Sequence, residues 1–351
     1  LGTHRFIFSP CLLFVILSAF DIVYANVVKY KDNDELEEEQ QMKYRQLGST
    51  QLKVSVIGIG TWQLGGEWGK TYTQQEADAI LDQAKASGIN LIDTAECYGD
   101  HTSESLIGSY VERGRREDWV IATKFGYQFH AHMDRSQCWT PQEVIGQLEA
   151  SLRALRTDYI DVYQFHSGTN EAFDQEDLWH LLSKQVEAGK IRHLGTSIGS
   201  NDNKYQTEKS TQVGSEVIQV IYNRLDRTPE EHVFPSCTEQ NLGVLARVPL
   251  ASGYLSGKYK PGAVFASNDV RSSRDQEKTR LTLEEAAHIQ QNEVPEGINM
   301  ATWALAWCLK HPAVTSVIPG CKNAEQVIAN AAAAQYISNN HPQSWKSNKV
   351  I

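Results

Sequence analysis

The sequence predicts a single-domain α/β protein, a (β/α)8 TIM barrel with an N-terminal extension, and three observations predict it. Short apolar runs, mostly β-branched, alternate with segments of helical periodicity eight times along the chain. Such alternation implies parallel strands joined by crossover helices, and eight units imply closure into a barrel. Third, the runs INLIDT (89–94), WVIATK (119–124) and YIDVYQFH (159–166) carry ionisable residues at their ends: Asp93, Lys124 and His166. Parallel barrel strands bring those ends together at one mouth, where barrel enzymes perform chemistry.

The barrel region opens at Met42 with a hairpin over YRQLGSTQLKVS. The eight strands are expected at 56–60, 89–94, 119–123, 159–165, 192–196, 217–222, 243–247 and 315–318. Between the first two, residues 73–88 place Ala77, Ile80, Leu81 and Ala84 on one helical face, with Gly88 as the stop. Residues 140–155 form a second clear helix, with Thr140 as N-cap, Pro141 at the first helical position and Glu143 completing a capping box. Ser252–Thr282 breaks the repeat, being long, polar and rich in Gly and Ser. It is either a functional loop or a mobile one, and its place after strand seven suits covering a cofactor. The expected organisation is an extension over 1–41, a barrel over 42–337 and a loose tail over 338–351.

A chain of 351 residues buries a large core, and its net charge of −10 gives no support to nucleic-acid binding, which wants a basic face. A small-molecule ligand fits better. Residues 6–20 are apolar after His4 and Arg5, and Val23–Ala25 resembles a signal cleavage site, while 31–41 are acidic. The apolar run is short for a stable membrane span. Two readings stand: an exported protein with a cleaved signal, or an upstream stretch preceding a cytoplasmic protein that begins at Met42. The six cysteines have no CxxC pairing and fit free thiols, which favours the cytoplasm.

Asp93, Lys124 and His166, with Tyr98 just beyond the first, suit proton delivery to a carbonyl. A phenol is a weak acid at neutral pH, and a neighbouring ammonium, Lys124, lowers its pKa by stabilising the phenolate. Asp93 would aim and neutralise Lys124. His166 would hydrogen-bond the oxygen becoming an alkoxide and share its proton. None of the four is a nucleophile, so the set fits proton transfer coupled to a hydride from elsewhere.

Here the chain resembles the aldo-keto reductase family. YRQLGSTQLKVSVIGIGTW (44–62) is similar to the family's opening, LIDTAECYG (91–99) to its Asp/Tyr segment, VIATKFG (120–126) to its Lys segment and DVYQFH (161–166) to its His segment. VIQVIYNRLDR (217–227), GVLARVPLASGYLSGKY (243–259) and VIPGCKNAEQVIANA (317–331) resemble its cofactor-binding stretches. The resemblance implies Asp93, Tyr98, Lys124 and His166 as the catalytic set and NADPH as cofactor, with NADH as an alternative. It implies an aldehyde, ketone or sugar as substrate, reduced or, in the reverse direction, formed by oxidation of an alcohol. It also leaves a second reading, an NADPH-binding redox sensor or channel-associated barrel with little turnover.

Barrels often bind phosphate with the loops after strands seven and eight, here VPLASGYLSGK (248–258) and PGCKNAEQ (319–326), both rich in small residues. No GxGxxG follows an early strand, so a Rossmann site is unsupported. By resemblance, Ser252, Gly253, Leu255 and Lys258 hold the pyrophosphate side, and Gly320, Lys322, Gln326 and Asn330 surround the adenosine end. A lysine at 322 suits a ribose phosphate, which favours NADPH. Many relatives carry Asn after the Ser of strand five; here Ile198 follows Ser197, leaving Gln219 for the nicotinamide carboxamide. Arg247 stands where many relatives stack a Tyr, and it either hastens product release or reaches for a substrate carboxylate or hydroxyl.

Trp62, Trp68 and Phe125 follow strands one and three and are expected to wall the substrate pocket, with core packing the competing role for Trp62. His130 and His132 lack metal-ligand spacing and read as loop histidines, so no metal is expected.

Overall fold

The computed structural model describes Gly2, residues 41–337 and the backbone of Ser344–Trp345. The chain separates into Leu1–Gln41 and Met42–Ile351. The signal-like run and the acidic stretch predicted near the start lie outside the described residues, apart from Gly2 and Gln41.

In the second unit, a hairpin of β1 (Tyr44–Gln46) and β2 (Lys53–Ser55) precedes the barrel. The barrel strands are β3 (Ile59–Gly60), β4 (Leu91–Asp93), β5 (Val120–Phe125), β8 (Ile160–His166), β9 (Ile191–Ser197), β10 (Ser215–Ile221), β11 (Gly243–Arg247) and β12 (Ser316–Val317). All eight coincide with predicted strands and pair in parallel, in chain order. Bridges from Ile57 to Val317 and from Gly60 to Gly320 close the circle. Val162, Val217, Leu245 and Ile318 belong to a buried cluster with Leu91 and Ala122, so the barrel is filled by aliphatic side chains. A larger cluster lies between the strands and the helices outside them.

The helix Gln74–Ala86 buries the four predicted residues and ends before Gly88, whose φ of 75° is the left-handed turn a glycine supplies. The helix Pro141–Leu155 carries the predicted capping box, and Thr73 with Glu76 forms another. A second, antiparallel hairpin, β6 (Tyr127–Ala131) with β7 (Asp134–Gln137), projects after β5 where the sequence suggested a loop. His130 bonds Ser136 within it.

The long segment after β11 carries short 3-10 turns at Ala251–Ser256 and Val270–Ser273 and is shorter than expected, because the helix Gln276–Asn292 already begins before Thr282, capped by Asp275. The tail is not wholly loose: Ser344–Trp345 form β13, antiparallel to Tyr44 and Arg45 of β1. Among the described residues five cysteines are buried free thiols, and no helix is long and apolar enough to cross a membrane.

Candidate active site

Strand register carries the site around the barrel rim. Asp93 ends β4, Lys124 on β5 stands level with Gln164 on β8, and His166 is level with Ser197 on β9, itself level with Gln219 on β10. Tyr98 follows β4 in a loop that can close only because two glycines cross. A Cβ on Gly65 would lie 2.6 Å from the Tyr98 carbonyl carbon, and one on Gly99 would meet the Gly65 oxygen at 2.4 Å. Gly99 also has a φ of +65°.

Lys124 is fully buried, and its ammonium spends its three N–H groups on three partners. It donates to Asp93 Oδ2 at 2.9 Å, to the Thr94 carbonyl at 2.6 Å and to the Tyr98 hydroxyl at 3.2 Å. Burial works to lower the lysine's pKa, but the charge of Asp93 and the hydrogen bonds to Asp93 and Tyr98 outweigh it and hold Lys124 above the usual range. Asp93 Oδ1 accepts from Gln219 Nε2 at 2.6 Å and from Gln164 Nε2 at 3.3 Å. The carboxylate is thereby fixed from both sides.

Tyr98 departs from the sequence expectation. Burial pushes its phenol up to about 12, against the pull of Lys124, so the net shift is upward rather than downward. Tyr98 is therefore held as a neutral phenol with a proton to give. His166 is pushed well below its ordinary 6.5 by burial and by the charges of Lys124, Arg247 and Arg135. It sits as a neutral imidazole, suited to hydrogen-bonding an oxygen and not to supplying a proton as imidazolium.

The walls are aromatic. Trp62 stacks on Tyr98 with centroids 6.0 Å apart, Trp68 meets Trp62 edge-on at 5.2 Å, and Tyr127 meets His166 edge-on at 5.1 Å. Phe125 does not join them: it is completely buried in the core, 4.8 Å from Tyr163 by ring centroids. It precedes Gly126 at the end of a strand whose every residue is buried, so its ring points into packed structure.

The residues expected around a cofactor lie on β9, β10 and β11, in the loop after β11, and in the loop and helix (Ala324–Ala331) after β12. Ser252 and Gly253 have φ values of 60° and 91°. The Ser252 carbonyl accepts from Arg271 at 3.2 Å and its hydroxyl from Arg274 at 2.8 Å. Leu255 is buried among Ile289, Met300 and Ala304, which leaves only its backbone for a ligand. Lys258 is exposed, near the Tyr259 ring. Gly320 gives room to Gln63, whose amide nitrogen would stand 1.9 Å from an added Cβ. Lys322 Nζ donates to the Trp68 carbonyl at 3.3 Å, and its backbone N–H to Gln326. Asn330 is buried and donates to Cys321. Gln219 Nε2 donates to Asp93, which ties it to Lys124 and Tyr98. Ser197 Oγ and Arg247 Nε are buried without partners, and buried polar atoms rarely stay so, which fits a site completed by a polar ligand.

Several groups here were not anticipated. Gln164 shares the face of His166 two residues on, which strand alternation would have disclosed. Glu67 accepts from Trp62 Nε1 and pairs with Arg135 of β7, whose other nitrogen lies 3.2 Å from Cys97 Sγ. Asp269 and Arg271 form a buried pair at 2.7 Å, and Val270 N–H bonds the Glu67 carbonyl, strapping the loop after β11 to that after β3. No local motif marks these pairs, because they join distant loops.

A saturated, buried lysine thus stands beside a neutral phenol at the C-terminal mouth of a closed barrel, an arrangement chemically able to protonate an oxygen. Residues 56–343 match the aldo/keto reductase family, and the chain belongs to it as an oxidoreductase. It is 33% identical over 300 residues to the uncharacterized oxidoreductase YqkF of Bacillus subtilis, covering 84% of this chain and 91% of that protein. Among solved structures, an aldo-keto reductase from Bacillus halodurans in its holo form superposes with a TM-score of 0.70 at 31% identity, over 84% of this chain and 91% of that one. The glycerol dehydrogenase of Gluconobacter oxydans gives a TM-score of 0.71 at 25% identity, over 84% and 90%.

Proposed function

We propose that this protein reduces an aldehyde or ketone with NADPH, reversibly, with Tyr98 as proton donor. The observation that carries the reading is the Lys124 ammonium, bonded at 3.2 Å to a phenol that is neutral and buried. A bound nicotinamide cofactor supplies the hydride. As negative charge grows on the carbonyl oxygen, Tyr98 gives up its proton, and Lys124 meets the phenolate with a charge already in place. Asp93, pinned by Gln219 and Gln164, keeps Lys124 aimed throughout. Neutral His166 donates a second hydrogen bond to the same oxygen.

Ser197, Gln219 and Arg247 would hold the nicotinamide end; Ser252, Gly253, Leu255 and Lys258 the pyrophosphate; Gly320, Lys322, Gln326 and Asn330 the adenosine end. Lys322, in the third of these groups, favours NADPH over NADH. For the substrate, the glycerol dehydrogenase relative points toward small polyols and their carbonyl counterparts, and NADP-driven oxidation of glycerol belongs in the first assays. A cytoplasmic setting, where NADPH is plentiful, suits this reading.

Rapid mixing of NADPH-loaded protein with a panel of aldehydes, ketones and sugars tests it. Loss of the reduced-nicotinamide absorbance in the catalytic range for at least one carbonyl is the expected result. Oxidation that is uniformly slow across the panel would favour the cofactor-sensor alternative.

A further inference from the structure

We propose that Glu96, Cys97 and His166 form a binding site for a thiophilic divalent cation of the Zn2+ class, and that filling it blocks the active site. One donor atom from each residue lies within 4.8 Å of the other two. Cys97 Sγ and His166 Nδ1 are 3.8 Å apart, close to the roughly 3.5 Å that tetrahedral bonds of about 2.3 and 2.0 Å impose between sulfur and nitrogen. The Glu96 carboxylate supplies the third donor, within 4.8 Å of both.

Glu96 has an oxygen to spare. Its Oε1 accepts the Tyr127 N–H at 3.0 Å, which anchors the β6–β7 hairpin, while Oε2 is buried with no partner. Burial pushes its carboxyl up to about 8, the behaviour of a buried acid without a cation to pair with. Glu96 also borders a cavity of about 310 Å3 beneath Tyr127, which offers an approach from outside.

Charge balance favours the same occupant. Arg135 has Glu67 as its counter-ion and Lys124 has Asp93, so neither needs Glu96 or Cys97. Zn2+ bound by the Glu96 carboxylate and the Cys97 thiolate makes a neutral unit, and His166 adds an uncharged donor. On binding near neutral pH, the Cys97 thiol and the Glu96 carboxyl each release a proton to solvent as a sulfur–metal and an oxygen–metal bond form; no electron changes hands. Carboxylate, thiolate and imidazole together suit Zn2+, Cd2+ or Co2+, whereas Mg2+ and Ca2+ want oxygen alone. A metal on His166 Nδ1 leaves Nε2 for the substrate oxygen but draws Glu96 and Cys97, the two residues just before Tyr98, toward the ring, which displaces the proton donor. The expected loss of turnover rests on the reductase reading; the site itself does not.

Two measurements on the full chain separate the two ideas. Co2+ should produce a sulfur-to-cobalt charge-transfer band in wild type that vanishes in Cys97→Ser and weakens in Glu96→Gln, whether or not a substrate has been found. Zn2+ should inhibit carbonyl reduction by wild type, and both variants, active without metal, should need at least about tenfold more Zn2+ for the same inhibition. Mg2+ should do nothing. No cobalt–sulfur band in wild type, or equal Zn2+ sensitivity in all three proteins, overturns the proposal. A cobalt band without any measurable reduction would instead leave the site standing and count against the reductase reading.

Discussion

Lys124 reaches Tyr98 across 3.2 Å with a side chain that has no other freedom, its remaining N–H groups being held by Asp93 and the Thr94 carbonyl. The ammonium is thus oriented before any charge appears on the phenol. Such preorganisation makes it effective in a buried site, since nothing must reorganise as the proton leaves.

Tyr98→Phe removes the one transferable proton while keeping the ring that stacks on Trp62. Turnover should fall by about 10²- to 10⁴-fold, with NADPH affinity unchanged by fluorescence titration. Because burial holds the phenol near 12, wild-type reduction should not decline for want of the Tyr98 proton between about pH 6 and 9. A variant with near wild-type turnover would remove Tyr98 from its role.

Lys322→Ala should separate the two nicotinamide cofactors. A charge-assisted contact to the extra ribose phosphate is worth about 1.5–3 kcal/mol, so NADPH should bind roughly ten- to a hundredfold more weakly and NADH almost as before. Equal weakening of both would assign Lys322 to its bond with the Trp68 carbonyl, a loop tie.

The barrel and the gathering of Asp93, Tyr98, Lys124 and His166 at one rim were legible because both rest on local pattern. Each strand is a short apolar run, and each of Asp93, Lys124 and His166 sits at a run's end, so register alone gathers them. What escaped depends on contacts between segments far apart in the chain. The hairpin Tyr127–Gln137 alternates weakly because most of it is exposed, and Glu67 meets Arg135 only once that hairpin has folded over the mouth. The direction of the Tyr98 shift also needed the structure: sequence proximity names the lysine, but burial decides which influence wins. Phe125 reads as a pocket wall from its position and as core from its packing.

The strap over the loop after β11 should control how fast the cofactor leaves. Arg271 pairs with buried Asp269, lies 4.1 Å from the Phe265 ring centroid and holds the Ser252 carbonyl. Arg271→Ala deletes all three contacts and leaves Asp269 without its partner, a loss of several kcal/mol in comparable buried pairs. NADPH dissociation, followed by stopped-flow fluorescence, should accelerate by about tenfold or more, with the rate of hydride transfer in a single turnover little altered. An unchanged dissociation rate would show that the strap does not gate the cofactor.

Glu96 should make the barrel less stable as pH rises, and removing its charge should abolish that trend. Its ordinary value is 4.5 and burial raises it to about 8, so between those values the folded protein keeps a proton that the unfolded chain has lost. Stability rises with pH only where the unfolded state binds more protons; here the folded state does, so this residue's contribution falls from about pH 4.5 to about 8 and then levels. Glu104 nearby raises the carboxyl further, while Lys124 and the Tyr127 N–H lower it without overcoming burial. Glu96→Gln preserves the oxygen that accepts from Tyr127 and cannot ionise. Its melting temperature should exceed that of wild type by several degrees at pH 8 and match it near pH 4.5, a difference of roughly a few kcal/mol at most. A Gln variant whose advantage is the same at both pH values would mean that Glu96 is not held protonated by its burial.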